Sequence, residues 1–157
     1  MSKISFKSVG VSAQAAAVQI ASTQSSPTPI GIKTPLQLGG SDGIFVMNYD
    51  LADQLADNLR NLLLTNWGER VGQYFLGANL RPLTTEFVSQ DSFDNEAVVR
   101  IKNAVGTWMP YVNLIDFISE VDRTQNNSTG VIKVTITYSV QALKIENKKI
   151  QIFLYIL

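Results

Sequence analysis

Two carboxylates carry whatever acid–base chemistry this sequence could perform. Glu69 lies in the segment Gly68-Glu69-Arg70, and Glu86 follows seventeen residues later. A pair of carboxylates suffices for glycoside hydrolysis when one stays protonated and the two flank the scissile bond. Arg70, directly beside Glu69, favours the ionised form and so suits a structural carboxylate better than a proton donor. Sequence spacing alone leaves their separation open. No other catalytic constellation is available. The chain has no cysteine and no histidine, which removes disulfides, thiolate chemistry, imidazole shuttles and His-ligated metals. An all-oxygen cation site would need a loop rich in Asp, and none is visible. No metal or cofactor is expected.

The Gly-Glu-Arg segment also lacks the order of a phosphate loop. Such loops open a helix, whereas this one closes a helix, and neither GxxxxGK[ST] nor GxGxxG occurs. The structural reading is that Gly68 ends the helix while Glu69 and Arg70 make local ion pairs. The planar guanidinium of Arg70 would bridge to the next loop, and Gly77 would allow the chain to turn back.

The elements that must position these residues are legible from periodicity. Leu51, Leu55, Leu59, Leu62 and Leu63 define one face of a helix over residues 50–66, with Asp50 as N-cap, Asp53 in the first turn, and Asn66 and Gly68 as the stop. Residues 71–89 read as irregular with short extended pieces. A second helix over 93–108 presents Phe93, Ala97, Ile101, Ala104, Val105 and Trp108 on one face, and Pro110 ends it. Three strands follow. Ile115, Phe117 and Val121 alternate with Asp116, Glu120 and Asp122. After the turn RTQNNSTG, Ile132, Val134, Ile136, Tyr138 and Val140 alternate with polar residues. The final IQIFLYIL places Ile150, Ile152, Leu154 and Ile156 on one face and apolar residues on the other too. An apolar strand of that kind calls for a cover, from this domain's own sheet or from another subunit. The expected fold is α+β: two main helices packed on a small, mainly antiparallel sheet, with an extended N-terminal arm over 1–45 and the folded domain over 46–157.

Composition narrows the partners. The chain has 157 residues and a net charge of zero, unevenly spread. Residues 1–41 carry three Lys and no acid, residues 42–122 are at −7, and residues 123–157 are at +4. That pattern suits contacts between charged protein surfaces. No basic stripe with interleaved aromatics points to nucleic acid, and no apolar run is long enough for a membrane span. Residues 1–22 carry Lys3 and Lys7, but Gln14, Gln19 and several serines interrupt the apolar run, against a secretory signal. Residues 10–29, rich in Ala, Ser, Gln, Thr and Pro, are expected to be a tail or an arm that orders on a partner.

The stretches Leu62–Arg70 (LLLTNWGER) and Phe75–Glu86 (FLGANLRPLTTE), followed by an amphipathic helix and strands, resemble the small baseplate wedge protein of contractile-tailed phages. This sheath-initiator, or tail-lysozyme-like, family has equivalents in type VI secretion baseplates. Thr65, Gly68, Glu69, Arg70, Gly77, Leu80, Leu83 and Glu86 fit its pattern, and the similarity spans about residues 50–157. The N-terminal PIGIKTPL looks like versions from T-even-type phages of aquatic bacteria. The resemblance implies a non-enzymatic virion component, made in the host cytoplasm and placed in the tail baseplate. Its implied partners are larger wedge subunits, the tail sheath protein and other baseplate or tube-proximal proteins, with the first sheath ring templated by strand addition. The family's Glu-Pro-Arg after the second helix is here Met109-Pro110-Tyr111, so that Trp108, Met109, Pro110 and Tyr111 would make an apolar or aromatic contact instead. Ile152, Leu154 and Ile156 are the corresponding candidates on the last strand. The alternatives are a peptidoglycan-cleaving tail lysozyme using Glu69 and Glu86, or an adaptor of a bacterial contractile injection system.

Overall fold

The computed structural model describes residues 28–39, 43–86, 90–122 and 130–156. Expectations for residues 1–27, the turn at 123–129 and Leu157 lie outside the described residues, as do the side chains of Gln90 and Ile156. In chain order the elements are β1 (Gly31–Ile32), β2 (Met47–Asn48), α1 (Leu51–Leu64), α2 (Leu83–Glu86), α3 (Gln90–Trp108), β3 (Asn113–Asp122), β4 (Gly130–Val140), a 3-10 turn (Gln141–Leu143) and β5 (Ile145–Ile156). This is the α+β architecture expected from the sequence, with β3, β4 and β5 forming an antiparallel sheet in that order.

Helix α1 starts where Asp50 accepts the Ala52 N–H at 3.0 Å, an ordinary N-cap. It ends two residues earlier than expected. The Thr65 hydroxyl and N–H both turn back onto the Asn61 carbonyl, at 2.6 and 3.0 Å, while Thr65 itself is extended. Leu55, Leu59, Leu62 and Leu63 are buried, but Leu51, in the helix's first turn, is half-exposed. Helix α3 begins three residues before the expected Phe93. Its core face is Phe93, Ala97, Ile101, Ala104 and Val105, whereas Trp108 at its end is 37% exposed.

The sheet has one covered face. Its inner rows are Val121–Ile132–Leu154, Ser119–Val134–Ile152 and Phe117–Ile136–Ile150, which α1 and α3 cover. The outer rows are Asp122–Val131–Tyr155, Glu120–Lys133–Phe153, Ile118–Thr135–Gln151 and Asp116–Thr137–Lys149. A register shift between Leu114 and Asp116 turns Ile115 outward, so the expected inward alternation of Ile115, Phe117 and Val121 holds only for the last two. Strand β5 begins at Ile145, earlier than the apolar run suggested. Lys144, at φ 52°, closes the 3-10 turn and lets Ile145, Lys148 and Lys149 pair with β4, with Glu146 and Asn147 in a register shift between them. Of the segment 71–89, expected to be irregular with short extended pieces, the described residues 71–86 hold a series of turns and the short helix α2.

The described part of the N-terminal arm is tied to the domain. Strands β1 and β2 pair with each other, and both their flanks converge on Asp57 of α1. Its carboxylate accepts the Thr34 N–H at 2.9 Å, the Asn48 amide at 2.8 Å and an Arg60 N–H at 3.1 Å. Burial by itself disfavours the charged form. The hydrogen bonds from Thr34 and Asn48, aided by the Arg60 charge, outweigh it and hold the Asp57 pKa below its ordinary 3.8. A carboxylate stabilised in the fold contributes stability above its unfolded pKa and loses it as pH falls through the lower folded value. Asp57→Ala should therefore lower the unfolding free energy by about 1–3 kcal/mol at neutral pH. The gap from the natural chain should be full at pH 7 and should shrink below roughly pH 4, measured by urea melts across pH.

Candidate interaction surfaces

The connection that follows α1 is built on the helix's own unpaired carbonyls. The last carbonyls of a helix lack internal partners. Here the Ala78 N–H reaches the Leu62 carbonyl and the Asn79 N–H reaches the Thr65 carbonyl, both at 3.2 Å. That approach requires a glycine at 77, where φ is +113° and a Cβ would overlap the Thr65 carbonyl. Gly68, at φ +84°, donates its N–H to the Tyr74 carbonyl at 2.8 Å and closes a smaller turn inside the same loop.

Glu69 serves this loop. Its two oxygens accept the Asn66 N–H and the Asn66 side-chain amide, each at 2.8 Å, while the Asn66 carbonyl oxygen of the side chain accepts the Arg81 N–H at 3.2 Å. These hydrogen bonds lead the causes that hold the Glu69 pKa below the ordinary carboxylate value, with the nearby Arg81 and Arg70 charges assisting. A group so held is a poor proton donor at neutral pH. Glu69 lines two open grooves, and Glu86 lines neither. Glu86 instead lies 3.9 Å from Arg100 on the exposed side of α2.

Arg70 departs from its expected bridging role. It is exposed, and among the described residues no hydrogen bond or ion pair of its guanidinium is seen. Gly72, two residues on, adopts φ +81° in open space, so this stretch of the loop leads outward, away from the carbonyls that a bridge would need. The bridge is Arg100 on α3. It contacts Glu96 at 2.9 Å, the Asn79 carbonyl at 2.8 Å and Glu86, joining α3 to the loop and to α2. Sequence reading missed Arg100 and Asn79, whose contacts to the Asn79 carbonyl and the Trp67 N–H are made only by the fold, and it read Asn66 as a helix stop without its pairing to Glu69 and Arg81. An Arg in the middle of an otherwise apolar-striped helix was the one available sign.

Besides the groove over Asn66, Glu69, Arg81 and Tyr155, two more flank the loop. The first, of about 330 Å³, runs between the loop and α3 and includes Trp67, Phe75, Ala78, Val99 and Trp108. Trp67 and Tyr74 pack edge-on against Phe75, with ring centroids 5.9 and 5.0 Å away, yet all three remain substantially exposed. The Trp67 indole N–H donates to the Gly77 carbonyl at 3.2 Å, which fixes the ring. At the end of α3 and just beyond it, Trp108, Pro110 and Tyr111 face solvent, whereas Met109 is buried at 5% exposure in this chain's own core. The Met109 side chain is therefore a packing residue, since its N–H continues the helix to Val105 while Val112 turns inward behind it.

The second groove, of about 420 Å³, lies between the end of α1, the loop and the end of β5. Leu63, Leu64, Leu80 and Leu154 form its apolar floor, with Glu69 and Arg81 at its rim and Phe153 and Tyr155 beside it. Strand β5 is an edge strand, and no backbone hydrogen bond of its outer edge is seen among the described residues. The side chains of Ile152 and Leu154 are buried and face the helices, because alternation directs them to the inner rows. What β5 offers a partner is its open backbone edge together with Phe153 and Tyr155, which the sequence places on the strand's second apolar face without singling them out for contact. For Ile156 only the backbone is described, paired with Gly130.

Among the described residues, no cluster of three or more acidic side chains is arranged to hold a metal ion. No helix among them is long and apolar enough to cross a membrane.

The described elements form a two-layer α+β domain with an open sheet edge, and two solved structures share that fold. A chain of the anti-feeding prophage baseplate, determined with six-fold symmetry by cryo-EM, is 21% identical with a TM-score of 0.56, over 69% of this chain and 82% of that one. A Geobacter sulfurreducens protein, provisionally named a tail lysozyme, is 18% identical with a TM-score of 0.51, over 70% of this chain and 93% of that one. No family model and no curated protein sequence matches the chain.

Two outcomes follow for the loop. Arg100→Ala should cost about 1.5–3 kcal/mol in thermal or urea unfolding, because it removes a charge-assisted hydrogen bond, while Arg70→Ala should stay within about 0.5 kcal/mol of the natural chain. Peptidoglycan release by the purified protein should sit at background and be unaffected by Glu69→Gln or Glu86→Gln.

Proposed function

We propose that this chain is a structural, non-enzymatic component of a contractile-tail baseplate, in the wedge, where it templates the first ring of tail sheath by strand addition. The observation that carries this reading is the open edge of β5 beside an apolar groove. It is supported by a fold shared with a chain of the anti-feeding prophage baseplate and by the sequence pattern of the loop. An incoming extended arm gains main-chain hydrogen bonds from the β5 edge, and its alternate side chains enter the groove over Leu63, Leu64 and Leu80. Larger wedge subunits dock on the aromatic side, where Trp67, Phe75, Trp108 and Tyr111 offer large, rigid apolar area with little entropy to lose. The protein works in the virion tail after synthesis in the host cytoplasm.

Catalysis by Glu69 and Glu86 is disfavoured by the hydrogen bonds that keep Glu69 ionised and by the absence of Glu86 from the grooves that Glu69 lines. Removing residues 150–157 would be a poor test of the edge, since Ile150, Ile152 and Leu154 belong to the core. Leu64 and Tyr155 are exposed in the groove and can be changed without opening the core. Leu64→Asp combined with Tyr155→Asp should leave the melting temperature nearly unchanged. Particles carrying this variant should show baseplates without polymerised sheath by negative-stain microscopy. Sheaths of normal length on particles that contain the variant would contradict the proposal.

A further inference from the structure

The two open edges of the sheet carry opposite charge. On the outer face β3 presents Asp116, Glu120 and Asp122. Strand β5 has no acidic residue from Asn147 to Tyr155 and presents Lys149 in the same row as Asp116. Glu120 is already paired with Lys133 of β4 at 3.2 Å. Lys149 is exposed, and among the described residues no ion pair or hydrogen bond of its ammonium is seen. Its neighbour Lys148 differs, because it turns to α1 and reaches Asp53 at 3.4 Å.

A second cation stands at the other end of β5. Arg81 is exposed and lines both of the grooves that Tyr155 lines. Its backbone N–H donates to Asn66, but among the described residues no ion pair or hydrogen bond of its guanidinium is seen. Glu69 feels the Arg81 charge, yet both its oxygens accept from Asn66. Lys149 and Tyr155 are six residues apart, which is roughly 20 Å along a strand. The apolar floor of Leu63, Leu64, Leu80 and Leu154 belongs to the Arg81 end of that span.

We propose that the strand accepted by β5 is acidic: an extended arm of another chain that sets one carboxylate against Lys149 and a second, about six residues away, against Arg81. Apolar side chains between the two enter the groove. The acidic arm specifies the partner of the strand addition proposed above and rests on that reading. Main-chain hydrogen bonds at an edge are the same for every sequence, so side chains must tell one arm from another. Opposite charges facing each other across strands stabilise the pair, and like charges destabilise it. Lys149 and Arg81 therefore turn away a lysine-bearing segment, while Asp116 and Asp122 turn an acidic one away from the β3 edge. Carboxylates at both ends of the arm satisfy the two cations whichever way it runs.

Charge reversal tests the arm in particles. Baseplates carrying Arg81→Glu with Lys149→Glu should lack polymerised sheath by negative-stain microscopy, whereas Arg81→Lys with Lys149→Arg should assemble normally. Both exposed pairs should melt near the natural temperature. Normal sheaths on the charge-reversed particles, beside lost sheaths on the Leu64→Asp, Tyr155→Asp particles, would overturn the acidic arm and leave strand addition standing. Normal sheaths on both would overturn the two together. Loss of sheath in the Lys/Arg exchange as well would show that charge is not the property read, and would overturn the acidic arm. In solution, a labelled peptide of alternating valine and threonine, about seven residues long and closed at each end by aspartate, should bind the full chain roughly tenfold more tightly than its lysine-ended counterpart. Fluorescence anisotropy reads the two affinities, and the preference should reverse in the Arg81→Glu, Lys149→Glu chain. Equal affinities, or self-association of the free chain that excludes the peptide, would overturn the proposal.

Discussion

The structure depends on one constraint: two main helices supply enough apolar surface to cover a single face of a three-stranded sheet. Leu55, Leu59, Leu62 and Leu63 from α1 and Ala97, Ile101, Ala104 and Val105 from α3 meet the inner rows of β3, β4 and β5. Each fully buried aliphatic side chain contributes about 1.5–3 kcal/mol, so this interface dominates the stability of the domain. Nothing in the described chain covers the outer face or the two edges. The strands answer that exposure differently. β3 places acids on the outer face, β4 places Lys and Thr, and β5 places Lys149 and Gln151 followed by exposed Phe153 and Tyr155. Charges on an edge discourage indiscriminate pairing, while the aromatic end of β5 leaves one place where pairing is favourable.

The loop after α1 converts that layered core into shaped surfaces. Its geometry is set by the pairing of Ala78 and Asn79 with the carbonyls of Leu62 and Thr65, which brings Gly77 against the helix end. From there Arg100 fixes the loop to α3, and Asn66 with Glu69 fixes its first turn. One groove opens on each side as a consequence. Glu69 and Arg100 are therefore occupied in holding shape, and apart from exposed Arg70 the residues left on the loop's surface are mainly aromatic and aliphatic.

Much of this was legible in the sequence because period and capping are local. The leucine spacing placed α1, Asp50 marked its start, and strict alternation gave the inner row of β4 without ambiguity. The misses share a cause. The bulge at Ile115 depends on pairing with β4, the early start of β5 depends on the turn at Lys144, and α2 is too short to show a period. Burial of Met109 and of Ile152 and Leu154 follows from which face each element turns to the core, which a motif does not specify. The bridging arginine was sought next to Glu69 in sequence, whereas the fold supplies Arg100 from another helix. Asp57, a polar residue between two core leucines, escaped notice because its partners Thr34 and Asn48 arrive from the chain ahead of α1.

The central claim is that the edge of β5 is completed by another polypeptide in the assembled particle. A cryo-EM map of the intact baseplate, at a resolution that separates strands, tests it most directly. The account predicts continuous density for a further strand beside β5, belonging to a different chain, with its side chains entering the groove over Leu63, Leu64 and Leu80. A β5 edge that faces solvent in the assembled particle, with that groove empty, would contradict it.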